Sequence, residues 1–385
     1  MKDKRLYIED LVLQASKRGQ STCGDYYLCQ RTSEYSIFIL CDGIGSGIKA
    51  NIAAIMCANR LLSLLESGIS LYRACEMVIS MMHKARTEDD VPFAAFSLAW
   101  ILNNGQYTII SYESPVPLLV KSTGSEPIAQ RHFTLAHELV SESKGVLKTG
   151  ETLILMTDGL TQAGMGRLPG LGWGTEGINS FINFSLYRGK DLAEIAQKSF
   201  ENAALLSGNE HIDDTTLVVL NCRQAKVFNL MTGPATERSD DENFVREFMN
   251  TDGEKAICGS TTADVVARVL NRPVEILSLS SSFSQPPKYK IKGIDLVTEG
   301  AVTLNQVFNI LDEDPESYDK DSCVSELCEM MRAADIIRIF IGGARNPSHQ
   351  DISFKQMGVL PRHTIVDLLI KKLTEMGKIV LSYPW

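Results

Sequence analysis

The sequence has no pair of cysteines at Cys-x2-Cys spacing and no block of Lys and Arg, and none of its apolar runs approaches the roughly 20 residues that cross a bilayer. The first absence speaks against a structural zinc site. The nine cysteines, at 23, 29, 41, 57, 75, 222, 258, 323 and 328, are odd in number, and several sit inside expected strands or helices. They read as reduced, buried thiols. The second absence goes with an acidic balance, 38 Lys plus Arg against 47 Asp plus Glu, whose net charge of −9 is spread along the chain. Nucleic acid and anionic membranes are disfavoured as partners. The third absence, together with an N-terminal Met1-Lys-Asp-Lys-Arg5 that leads into no signal-peptide core, points to a cytoplasmic protein.

What is present describes a globular chain, with 44 % apolar and 22 % charged residues. At roughly 150 residues per domain, 385 residues suggest two or three units. The reading here is two, residues 1–223 and 224–385.

The first unit is organised around residues 36–50. Residues 36–41 are apolar without polar alternation, as in a strand covered on both faces, and they end at Asp42-Gly43. A carboxylate at the lip of a core needs a partner. A metal cation would satisfy it, and Gly43, lacking a Cβ, would let its own carbonyl approach the same ion. Taken alone, Asp-Gly is an ordinary turn. Residues 151–159 repeat the device, however, an apolar strand ending in Asp158-Gly159. Gly24-Asp25 precedes a third strand-like run, and Asp213-Asp214-Thr-Thr216 a fourth. Oxygen-only carboxylate sites suit hard cations such as Mg²⁺ and Mn²⁺.

Around these corners the pattern predicts an opening strand at 5–16, a helix from about Ser46, its expected cap, to 66, and a second helix at 70–84. Strands follow at 93–102, 107–112 and 117–121, then a polar, glycine-bearing stretch at 122–150 and a strand at 152–157. Helical periodicity returns at 175–185 and 190–207, and a strand at 217–220 closes the unit. The expected class is α+β in layers.

Gly24-Asp25, the segment 42–50, Asp158-Gly159 and Asp213 to Thr216, in that order, resemble the metal-dependent type 2C protein phosphatase superfamily. The nearer likeness is to the stage II sporulation protein E branch of bacterial serine/threonine phosphatases, whose Asp-Gly-Met-Gly-x-Gly segment is similar to residues 42–47. The resemblance covers about residues 8–222. It implies an α-β-β-α sandwich with two Mn²⁺ or Mg²⁺ ions at one end of the sheets, Asp25, Asp42 and the Gly43 carbonyl holding them, Asp42 bridging. Asp158 and Asp213 would complete one ion's shell, which makes Asp42, Asp158 and Asp213 the catalytic set. Asp214 is a supporting candidate or a turn cap. His211 is a general-acid candidate or an exposed loop residue. The substrate implied is a phosphorylated regulatory protein. No Cys-x5-Arg nucleophile loop follows Cys23 or Cys29. Two features depart from the pattern: no N-terminal Arg stands out to grip phosphate, and Ala95-Phe96-Ser97 replaces a Thr-Leu-Asp stretch.

In residues 224–385, strands at 256–259, 294–300, 336–343 and 379–382 alternate with helices at 263–270, 302–311 and 365–376. The expectation is a smaller α/β domain with a mainly parallel sheet. Ligands bind such folds at the carboxyl edge of the sheet. There Gly259-Ser260-Thr261-Thr262 offers N–H groups and hydroxyls for an anion, or merely a helix cap. Neither Gly-x-Gly-x-x-Gly nor Gly-x4-Gly-Lys-[Ser/Thr] occurs in this half. Its expected role is to sense a small molecule or protein and set the phosphatase's activity, or to be the working half of a ligand-responsive protein whose phosphatase half is weak or silent.

Overall fold

The structure is a computed structural model that describes residues 5–86, 93–167, 172–278, 286–314, 318, 322–344 and 358–385. The chain divides into two compact units, Arg5–Gln224 and Ala225–Trp385.

The first unit begins with strands β1 (Leu6–Ala15), β2 (Asp25–Arg31) and β3 (Tyr35–Gly43), followed by helices α1 (Gly47–Glu66) and α2 (Leu71–Arg86). A run of strands comes next: β4 (Ala94–Leu102), β5 (Gln106–Tyr112), β6 (Leu118–Lys121), β7 (Gly124–Pro127), β8 (Arg131–Leu135), β9 (Glu138–Val146) and β10 (Thr152–Met156). Helices α3 (Asp158–Thr161), α4 (Gly174–Tyr187) and α5 (Leu192–Leu206) lead to the closing strand β11 (Thr215–Gln224).

The strands form two antiparallel sheets, ordered β1-β11-β10-β6-β7 and β2-β3-β4-β5-β9-β8. Side-chain parity then builds the layers. Phe38 and Leu40 of β3 share one core with Leu153, Leu155, Val218 and Leu220 of the other sheet, so the sheets pack face to face. Ile37, Ile39 and Cys41, pointing the opposite way, meet α1 and α2. Ile154, Met156, Leu217 and Val219 meet α4 and α5. The result is an α-β-β-α sandwich, and it explains why β3 lacks polar alternation: both of its faces are covered.

Three local features differ from the sequence reading. The polar stretch 122–150 contains β7, β8 and β9, whose Ser, Glu and Thr residues hide the strand pattern; β7 and β8 are edge strands, and β9 lies between β5 and β8. Ser46 occupies the N-cap position of α1, but its side chain accepts no capping hydrogen bond. Helix α1 is also, by length and composition, apolar enough to cross a membrane. It is nevertheless a core helix: Ala50, Ala54, Ala58 and Leu61 are buried against the sheet, while Ile44 just before it and Ile48, Ile52 and Met56 along it stay exposed.

The second unit contains β12 (Val227–Thr232), α6 (Asp241–Asn250), β13 (Glu254–Cys258), α7 (Ser260–Leu270), β14 (Glu275–Ser278), β15 (Lys288–Lys290) and β16 (Leu296–Thr298). It continues with α8 (Ala301–Ile310), α9 (Cys323–Ala333), β17 (Ile336–Ile341), α10 (Arg362–Glu375) and β18 (Ile379–Pro384). The sheet order is β14-β15-β16-β13-β12-β17-β18. From β16 to β18 all pairings are parallel, and β14 and β15 extend the sheet antiparallel. Phe228, Leu230, Ile337 and Ile339 pack under α8, α9 and α10, and Met231, Ile257 and Phe340 under α6 and α7. The sheet is therefore covered on both faces and mainly parallel, with its strand order reversing between β12 and β17.

Candidate metal centre

Each acidic corner lies where a buried strand starts or stops. Asp25 opens β2 and pairs directly with Asp42 near the end of β3. Asp158 follows β10, and Asp213 and Asp214 precede β11, its neighbour in the other sheet. Two threonines stitch the sheets together at this point. The hydroxyls of Thr157 and Thr216 donate to Asp25 Oδ2 at 2.8 and 2.7 Å. Asp25 is only 1 % exposed, and its other oxygen, Oδ1, is buried without any partner.

Burial pushes the Asp25 carboxyl up to about 7, and the charges of Asp214 and Asp158 push in the same direction, against the two threonine hydrogen bonds. Asp42 is pushed up to about 9 by burial and then by Asp25, Asp158 and Asp213. Asp158 is raised by burial and by Asp213, while its hydrogen bond with Asp42 acts the other way. Four carboxyl groups thus crowd one another with too little positive charge among them.

The remaining contacts fix individual oxygens. Gln162 Nε2 donates to Asp158 Oδ2 at 2.7 Å. Lys17 spans two carboxylates: its Nζ lies 3.1 Å from Asp213 Oδ1, and its backbone N–H donates to Asp214 Oδ1 at 2.9 Å. Asp214 is buried and so anchors the chain after β1. His211 lies against Phe200 with ring centroids 4.7 Å apart and the planes tilted by 39°, and burial lowers its pKa.

Both Asp-Gly corners need glycine because another chain segment passes close by. A Cβ on Gly43 would sit 1.9 Å from the Ala50 carbonyl oxygen of α1, and one on Gly159 2.1 Å from the Asp214 carbonyl oxygen. Neither has a positive φ, so the constraint is space rather than backbone conformation.

An all-oxygen, half-buried acidic set with an orphaned buried oxygen fits a hard divalent cation in donor type. The set is not closed around one. Among the described residues no group of three or more His, Cys, Asp or Glu side chains is arranged to hold a metal ion. The contacts show how the carboxylates are engaged instead, Asp213 by Lys17, Asp158 by Gln162 and Asp25 by two hydroxyls.

Thr157, Thr216, Lys17 and Gln162 are the residues that the sequence reading missed. The two threonines adjoin the acidic motifs, Thr157 before Asp158 and Thr216 two places after Asp214. Lys17 carries no local signal.

In the second unit, Gly259 is the N-cap of α7 with φ +135°, and no side chain caps the helix. Ser260 and Thr261 therefore do not serve as its caps, and the Thr262 hydroxyl accepts instead from Gly233 N–H at 2.8 Å.

The family model of stage II sporulation protein E matches residues 32–223. Among solved structures, the phosphatase domain of the cell-fate determinant SpoIIE of Bacillus subtilis, with a fragment of its regulatory domain, is 20 % identical over 57 % of this chain and 64 % of that one, with a TM-score of 0.48. This chain thus spans less than two thirds of that one. The RsbU and RsbW domains of Rv1364c from Mycobacterium tuberculosis are 15 % identical over 64 % and 68 %, with a TM-score of 0.46. RsbX in complex with magnesium is 20 % identical over 57 % and 98 %, with a TM-score of 0.41. No match was found among curated proteins.

Proposed function

With residues 32–223 matching the stage II sporulation protein E family, we propose that the first unit is a cytoplasmic Mn²⁺- or Mg²⁺-dependent phosphatase of phosphoserine and phosphothreonine in a regulatory protein. The observation that carries this reading is the mutual crowding of Asp25, Asp42, Asp158 and Asp213 beside a buried, unpartnered Asp25 oxygen.

In this reading Asp25, Asp42, Asp158, Asp213 and the Gly43 carbonyl would hold two ions, and Asp42, Asp158 and Asp213 are the catalytic set. When bound, the ions supply an acidified water and neutralise charge on the phosphoryl oxygens. The protein supplies position. Thr157 and Thr216 fix one oxygen of Asp25 and leave the other available. Gln162 orients Asp158, and Asp214 holds the Lys17 backbone so that a cation stands beside Asp213. The second unit would regulate turnover through a small-molecule or protein ligand, with the uncapped α7 N-terminus at Gly259, Ser260, Thr261 and Thr262 as the anion-binding candidate.

The test is hydrolysis of a phosphoserine peptide by the full chain with Mn²⁺, together with manganese calorimetry. Turnover that disappears in Asp42→Asn supports the proposal, and neither heat nor turnover from the unaltered chain overturns it. A second reading, a ligand-responsive protein with a silent phosphatase half, has the Lys17–Asp213 pair in its favour. Manganese heat without hydrolysis of any phosphopeptide would select it.

A further inference from the structure

The face of the second sheet under α6 and α7 is apolar apart from one row. Parallel pairing sets Asn229 of β12 beside Lys255 of β13 on one side and Arg338 of β17 on the other. Two residues further along the same strands stand Met231, Ile257 and Phe340, all core. Asn229 is 0 % exposed, and Lys255 and Arg338 are 9 % exposed each.

The hydrogen bonds of this row are incomplete. Lys255 Nζ donates to the carbonyls of Thr251 and Gly253 at 2.5 and 3.3 Å. Asn229 Nδ2 donates to the carbonyls of Asp252 and Glu254 at 2.9 and 3.1 Å. Asn229 Oδ1 is left as a buried acceptor without a donor. The Arg338 guanidinium has no hydrogen bond or ion pair among the described residues. Two carboxylates act on Lys255: Asp295, whose Oδ2 accepts from the Lys255 backbone N–H at 2.8 Å, and Asp252. Burial lowers the Lys255 pKa, Arg338 opposes its charge as well, and Asp295 and Asp252 only partly offset this. Two like charges buried on either side of an unsatisfied amide call for an anion between them.

We infer that Arg338, Lys255 and Asn229 form a binding site for a small oxyanion that carries its own hydrogen-bond donor, of the class of hydrogen phosphate or a 2-hydroxycarboxylate. The guanidinium fork takes two oxygens in parallel, as it does with carboxylates and phosphates generally. Lys255 adds charge, and Asn229 Oδ1 accepts from the ligand's hydroxyl. An anion without a donor leaves that oxygen unsatisfied and binds less well. The site lies within the second unit and does not depend on the phosphatase reading of the first.

Calorimetry on the full chain tests the site with four probes: inorganic phosphate, glycolate, dimethyl phosphate and acetate. Phosphate or glycolate is expected to bind, and whichever does identifies the source of the oxyanion. Their donorless counterparts are expected to be at least about tenfold weaker. Arg338→Gln should weaken binding by about tenfold or more. Asn229→Asp, which keeps shape and volume, should do the same by adding negative charge, and it serves where the arginine variant fails to fold. Equal affinity in the variants, or no heat from any of the four anions, would overturn the inference.

Discussion

The two units bury charge of opposite sign in different ways. In the first, acids gather at strand ends where two sheets meet: Asp25 and Asp42 from one sheet, Asp158 just after β10 and Asp213 just before β11 of the other. In the second, two bases sit within a single sheet, one strand apart from each other's neighbour Asn229. Both arrangements leave a buried oxygen without a donor, Asp25 Oδ1 in one and Asn229 Oδ1 in the other. Carboxylates crowd one another in the first unit, whereas in the second a guanidinium and an ammonium flank a buried amide, so the two units concentrate charge of opposite sign.

The largest test of this contrast is Asp42→Asn. Phosphopeptide hydrolysis by the full chain should fall by about three orders of magnitude or more, on the scale of losing a principal electrostatic group. Stability of the chelator-treated protein should rise at the same time, because a repelled carboxyl has been removed. Loss of stability in melts would refute the crowding.

Next comes Gly43→Ala. Its Cβ would stand 1.9 Å from a backbone oxygen of α1, a contact that no side-chain rotation relieves. Overpacking of this kind typically costs about 1–3 kcal/mol. Chemical denaturation should register that loss even without metal.

The pH dependence then separates the units by its sign. Asp25 and Asp42 have folded pKa values of about 7 and about 9 against an ordinary 3.8, so between those values the native protein holds more protons than the unfolded chain. Their contribution is fully present below pH 3.8 and is lost as pH rises through 7 to 9. Lys255 does the reverse. Its folded pKa lies below 10.5, so its contribution improves as pH rises toward that value. Melts of the chelated protein from pH 5 to pH 9 should show the first unit weakening, with the second unit free of that fall.

The smallest effect is expected from Lys17→Met. The Lys17–Asp213 pair is about one-third exposed on both sides, and such pairs contribute about 0–1 kcal/mol. Releasing Asp213 should therefore strengthen manganese binding by only a few-fold, as read by calorimetry.

Much of the fold was legible because its signals are local. The unbroken apolar run of β3 announced two covered faces, and alternating strand and helix patterns announced a parallel sheet. What stayed hidden depends on neighbours distant in sequence. Strand β8 is a half-exposed edge strand, and β9 beside it carries serines and glutamates that read as loop although it pairs on both sides. The antiparallel strands β14 and β15 are only four and three residues long. At the site, the acidic corners could be picked out one by one, but Thr216 reaches Asp25 across 191 positions of chain, a relation that no spacing rule encodes. For Gly43 the structure adds a steric requirement, the Ala50 carbonyl, which the sequence could not show.

The pair of threonine hydroxyls on Asp25 has a mechanical consequence. They belong to one sheet and the carboxylate to the other, so the bonds of 2.7 and 2.8 Å act as a gauge of how far one layer has slid over its neighbour. A displacement along that seam would alter both together, because they share one acceptor oxygen. Any force that shears the sandwich would then be felt at Asp25 before it disturbed the hydrophobic interior.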